Sequence, residues 1–99
     1  MLKPGPMTRR SAEALAIEAL SFLAADAGRI GRFLALSGIG PDQLRAASRE
    51  PGFLAGILDH IAADEQLMML FADHAERHPQ DVRRAQAVLS GRQWERDVP

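Results

Sequence analysis

Helix punctuation is the feature that most constrains this chain. Between Thr8 and Gly91, residues that start or stop helices recur every ten to fifteen positions: Asp26, Gly38-Ile39-Gly40-Pro41, Glu50-Pro51-Gly52, Asp64, His78-Pro79 and Gly91. Asp suits the residue before a helix because its carboxylate accepts from free N–H groups of the first turn. Pro suits the first turn itself, where its missing N–H costs nothing, and Gly suits the left-handed position that closes a helix. Segments bounded this closely leave room for short helices and for little else.

The apolar spacing within the segments agrees. The pattern predicts a first helix over 9–25, started by Thr8 or Ser11, with Leu15, Ala19 and Leu23 on a broad face. A second follows Asp26 and ends near Ser37, with Ile30, Phe33, Leu34 and Ser37 in helical register. Gly28 and Gly31 each cost about 1 kcal/mol in a helix interior, which points to close approach of a neighbour or to a frayed start. A short third helix is predicted over 41–49, with Leu44 and Ala47 or Ser48 inward and Pro51 enforcing its stop. A fourth runs from about Gly52 to Ala62 or Ala63 with the cleanest apolar face, a fifth follows Asp64, and a sixth runs from Pro79 to Gly91. Links of two to four residues favour an all-α, compact orthogonal bundle of about six short helices. The repeat Pro-x-x-apolar-Arg-x-Ala at Pro41 and at Pro79 reads as two ordinary helix starts.

A chain of 99 residues holds one hydrophobic core. The domain is expected over 8–91, after an unstructured segment 1–7 and before a charged tail 92–99 that carries Trp94 and Val98. The net charge of −1 gives no global field for nucleic acid. With no Cys, disulfides, thiolate nucleophiles and Cys-ligated zinc are excluded. No apolar run approaches the ~18 residues of a membrane span, and the start shows no signal-peptide pattern. A cytoplasmic location, no membrane and no cofactor are the expectations.

Four groupings carry possible chemistry. Arg29 to Arg49 can be read as helix, turn, helix, with Gln43 and Arg45 toward base edges and Arg29, Arg32 and Arg49 toward phosphates. Pro41 and Asp42 in the turn count against it, and any small bundle turns corners in this way. His74 and His78 are spaced i, i+4, a metal-ligand spacing. Pro79 follows directly, however, so His78 lies at or beyond the helix end, and no metal is expected. Glu50 to Glu76 carries Glu50, Asp59, Asp64, Glu65, Asp73 and Glu76 and no Lys or Arg, while Arg77, Arg83, Arg84, Arg92 and Arg96 follow. Such asymmetry suits complementary faces within the fold or between two copies. Leu67-Met68-Met69-Leu70-Phe71 goes all the way round a helix, as a central helix requires, or leaves an adaptable Met surface for a partner. No nucleophile with its base, phosphate loop or paired carboxylate stands at usable spacing.

The strings Ala19-Leu20-Ser21-Phe22-Leu23-Ala24-Ala25-Asp26, Arg32-Phe33-Leu34-Ala35-Leu36-Ser37-Gly38-Ile39-Gly40-Pro41 and Phe53-Leu54-Ala55-Gly56-Ile57-Leu58-Asp59-His60, followed by Asp64-Glu65, resemble a family of short alphaproteobacterial proteins classed as a domain of unknown function. The resemblance covers roughly residues 12–91. It implies a bacterial, cytoplasmic, helical protein and carries over no catalytic residue.

The residues thus point first to a non-enzymatic module that binds a protein partner or itself. Its candidate surface is Asp59, His60, Asp64, Glu65, Met68, Met69 and Asp73. The alternative is DNA binding through Arg29, Arg32, Gln43, Arg45 and Arg49.

Overall fold

The computed structural model describes residues 7–50 and 52–91. It is all-α, and among the described residues there is no strand. The helices are α1 (Arg9–Ala24), α2 (Ala27–Ser37), α3 (Leu44–Ala47), α4 (Phe53–Ala62), α5 (Glu65–Ala75) and α6 (Pro79–Ser90), with a 3₁₀ turn at Pro41–Gln43 leading into α3.

The starts of α1, α2, α5 and α6 each have a chemical cause. Thr8 Oγ1 accepts from the Ser11 N–H at 3.0 Å and Ser11 Oγ accepts from the Thr8 N–H at 3.0 Å, so both expected caps act together as a capping box. Asp26 Oδ1 accepts from the Arg29 N–H at 3.0 Å and Asp64 Oδ1 from the Leu67 N–H at 3.1 Å. Pro79 occupies the first turn of α6. Gly38 (φ 78°) and Gly91 (φ 80°) close α2 and α6 in the left-handed region, as their positions in the sequence require.

The core is built on α1, α4 and α6, which pack pairwise on one another. α1 presents Ala12, Leu15, Ala16, Ala19, Phe22 and Leu23, all buried. They meet Phe53, Ile57, Leu58 and Ile61 of α4 and Val82 and Ala85 of α6. α5 adds Met68 and Phe71, whose ring lies 5.4 Å from that of Phe22. α2 lies on α1 and buries a single residue, Phe33.

Several expectations are corrected here. α5 is not central: it packs mainly on α4 and α6 and leaves Met69 54% and Leu70 45% exposed. α3 ends at Ala47 rather than Arg49 and is one turn long, while Pro51 lies outside the described residues. Gly31 has open space where a Cβ would stand, and at Gly28 the one close neighbour is the carboxylate of its own cap, Asp26. Neither glycine admits a second helix. Ser37 is exposed, its Oγ donating to the Leu34 carbonyl at 3.2 Å. Met7, grouped with the unstructured start, packs against the core. Residues 1–6 and the tail 92–99, with Trp94 and Val98, lie outside the described residues.

One helix end has no glycine. α5 closes with the Arg77 N–H donating to the Ala72 carbonyl at 2.8 Å and the Glu76 N–H to the Asp73 carbonyl at 3.2 Å, a Schellman pattern that forces Glu76 to φ 55°. The left-handed conformation costs an L-residue about 1–2 kcal/mol, while added glycine freedom in the unfolded chain costs about 0.4–1 kcal/mol. Glu76→Gly is therefore expected to stabilise the fold by roughly 0.5–1 kcal/mol. In urea unfolding the midpoint should rise at constant slope; a lower midpoint would show that the Glu76 side chain stabilises the turn.

Candidate functional site

The side of α2 that faces away from α1 looks across to α4 and the start of α5. Two open clefts lie between them, and they meet at His60, which lines both. The first, about 290 Å³, is bounded by Arg29 and Arg32 on α2 and by His60, Asp64, Leu67 and Leu70 opposite. The second, about 360 Å³, is bounded by Phe33, Leu36 and Ile39 on one side and Phe53, Gly56 and Asp59 on the other. Small-molecule sites occupy roughly 300–1,000 Å³ and enclose their ligand. These clefts sit at the bottom of that range and are open, so together they form a shallow groove.

The floor is aromatic. Phe33 meets Phe53 edge-on at 6.1 Å between ring centroids, and His60 meets Phe33 edge-on at 5.2 Å. This stack is how α2, with one buried residue, is held over α4. Leu36, at 68% exposure, stands at one end of the groove and Leu70 at the other. His60 is half-buried between them. Burial lowers its pKa below the ordinary 6.5, the nearby Arg32 charge lowers it further, and Asp64 partly opposes both. Burial and the Arg32 charge thus both disfavour the charged imidazole.

The walls differ in sign. α2 carries Arg29 and Arg32 and no acid, with Asp26 at its cap. α4, the connection to α5 and α5 itself carry Asp59, Asp64, Glu65 and Asp73 and no Lys or Arg. Among the described residues the ion pairs are Arg9–Glu13, Arg77–Glu18 and Arg84–Asp81, and none of them crosses the groove.

The expected partner surface divides accordingly. His60 and Asp64 line the first cleft, and Asp59 lines the second while accepting from Gln86 Nε2 at 2.8 Å. Glu65, Met69 and Asp73 are exposed but line neither cleft. Met68 is a correction: it is fully buried among core residues and is not available to a partner. Leu36, Ile39 and Leu70 were missing from the expected set. Leu36 had a signal, an apolar residue on α2 outside the Ile30, Phe33, Leu34 stripe.

The helix–turn–helix geometry is not assembled. A reading helix must lie along a groove of DNA, whereas α3 has four residues. Gln43 Oε1 accepts from the Gly40 N–H at 3.2 Å and so closes its own turn. The Arg29 guanidinium lies 4.6 Å from the Phe22 ring centroid. Arg32 lines the groove, while Arg45 and Arg49 are exposed away from both clefts. His74 and His78 do not share a helix: His74 packs its ring 5.1 Å from Phe22 on α5, and His78 precedes α6 in extended conformation. Among the described residues no group of three or more His, Cys, Asp or Glu is placed to hold a metal ion. Nor is any helix there long and apolar enough to cross a membrane.

Two measurements check this geometry. Met68→Gln buries an amide without a partner and should destabilise the fold by about 1–3 kcal/mol, whereas Met69→Gln should stay within about 0.5 kcal/mol; equal effects in thermal unfolding would contradict the placement of α5. For His60, the folded state binds the proton less readily than the unfolded state. Stability is then full above pH 6.5 and falls as pH drops from 6.5 toward the lower folded-state pKa. An imidazole titration by NMR should give His60 a midpoint below 6.5, and a midpoint at or above that value contradicts the burial.

No curated protein and no solved structure matches the chain. A family model described as "Protein of unknown function (DUF3572)" matches residues 9–92, from the first residue of α1 to just past the end of α6. The chain belongs to that family.

Proposed function

We propose that this chain is a non-catalytic protein-interaction module that works through the groove between α2 and α4–α5, in the bacterial cytoplasm that the sequence led us to expect. One observation carries the reading: an open charged cleft and an open, mainly apolar cleft share His60, with Leu70 exposed in the first and Leu36 in the second. Neither leucine is needed to fill the core, and each exposes apolar surface to water at a cost of about 25 cal/mol per Å². Covering such a seam is what a protein partner does. The lining offers carboxylates, two arginines, an imidazole, the Ser37 hydroxyl and apolar side chains.

The test is groove-dependent capture. Tagged chain is used to retain proteins from a bacterial lysate treated with nuclease, and the Leu36→Glu/Leu70→Glu variant is compared with Ile17→Glu. Ile17 is also exposed but lines a separate cleft with Ser21 and His74. The groove variant should lose at least tenfold in binding, about 1.4 kcal/mol, with helicity unchanged, while Ile17→Glu binds as before. Binding that survives the groove variant would overturn the reading, as would recovery of nucleic acid in place of protein from an untreated lysate.

A further inference from the structure

The groove reading leaves open what covers the second cleft when no partner is bound. Resting on that reading, we propose that the chain's own residues 92–99 cover it, with the Trp94 indole seated among Phe33, Leu36 and Phe53, so that a partner gains the groove by displacing them.

The cleft suits one large apolar side chain. Phe33, Leu36, Ile39 and Phe53 line it, and its volume is about 360 Å³. Gly52 and Gly56 line it too, and each has open space where a Cβ would stand. Gly56 lies inside α4, where glycine weakens a helix, and no neighbour crowds it. Its effect is to keep the cleft open. Trp94 is the one Trp of the chain, and a Trp side chain offers roughly 150–250 Å² for burial. Charge agrees with this occupant. The lining carries Asp59 and no Lys or Arg, and no ion pair among the described residues involves Asp59. After Gly91 the sequence alternates Arg92, Trp94, Arg96 and Val98 with Gln93, Glu95 and Asp97. An extended chain turns alternate residues to opposite sides. One side of such a segment is basic and apolar, which suits the cleft and Asp59; the other is acidic or amide, which suits water. The reach also suffices. Asp59 accepts from Gln86 Nε2 at 2.8 Å. Gly91 follows Gln86 by about 7.5 Å of helix, and up to about 10 Å of chain separates Gly91 from Trp94. Tethering of this length holds the indole near the cleft at an effective concentration on the order of millimolar.

The experiment reads Trp94 itself, because the chain has one Trp and no Tyr. In the folded 99-residue chain its fluorescence should lie at shorter wavelength than in urea, and acrylamide should quench it less. Gly56→Leu fills the cleft, and Leu36→Glu, at an exposed position, adds a second acid to its lining. Either variant should move the emission to its wavelength in urea and open Trp94 to acrylamide, with helicity unchanged. Ile17→Glu, in a separate cleft, should leave both as in the wild type. A wild-type Trp94 that already emits as it does in urea overturns the proposal, as does a shielded Trp94 that neither cleft variant exposes. Shielding that disappears on dilution also overturns it, since a second copy's Trp94 then fills the cleft. Where capture of a lysate protein depends on Leu36 and Leu70, Trp94→Ala should strengthen it about tenfold, as for a cleft that the tail occupies about nine-tenths of the time. Unchanged or weaker capture in that variant overturns the displacement. A Trp94 exposed by both cleft variants, in a chain whose capture ignores Leu36 and Leu70, would refute the partner reading and leave the seated tail standing. A Trp94 open to solvent in a chain that still captures through the two leucines would do the reverse.

Discussion

Three alanines on α1 set the terms for the whole molecule. Ala12, Ala16 and Ala19 recur at i, i+4 and i+7, and all are fully buried. A face with nothing beyond Cβ lets neighbouring helices settle against the α1 backbone, and the larger side chains of α4 and α6 fill the space. Leu15 and Leu23, on the edges of the same face, interdigitate with them. A bulky residue at any of the three positions would force α4 and α6 apart, and with them the buried cluster of Ile57, Leu58, Ile61, Val82 and Ala85.

Because α1 commits its best face to α4 and α6, the other helices take what remains. α5 covers the core with Met68, Phe71 and Ala72 and turns Met69 and Leu70 outward. α2 has still less to work with: two glycines lower its intrinsic stability, and one buried side chain docks it. Phe33 must do that docking at the edge of Phe53 and His60. An aromatic stack of this kind holds a helix at one point along its length and does not close the seam on either side. The groove is thus a consequence of how α1 is used, and its two clefts flank the aromatic contact of α2 with α4.

The fold was legible because its signals are local. Asp26, Asp64, Gly38, Pro79 and Gly91 act on the turn they belong to, and each does in the structure what its chemistry requires. Where a signal depended on neighbours, reading it from the chain failed. The run Leu67 to Phe71 specifies apolar side chains in all directions, but only the position of α5 at the rim of the core decides that Met68 is inside and Met69 outside. Gly28 and Gly31 point to close approach of a neighbour or to a frayed start, and in the structure they face their own cap and open space. Glu76 in the left-handed region had no signal at all, since it follows from a hydrogen-bond pattern that Gly normally serves. Of the expected surface, Asp59, His60 and Asp64 fall at the groove because they bracket the turn from α4 to α5. The opposite side, Arg29, Arg32, Phe33 and Leu36, comes from α2, far away in sequence, and only packing brings it there.

His60 shows how the two halves are reconciled. A histidine in an apolar seam interrupts it only when charged. Burial against Phe33 and the field of Arg32 both act against the charged form, and Asp64 alone acts for it. Arg32 thus adds to the effect of burial on the imidazole. His60 therefore joins a cleft lined by Arg29, Arg32, Asp26 and Asp64 to one lined by Phe33, Leu36, Ile39 and Phe53.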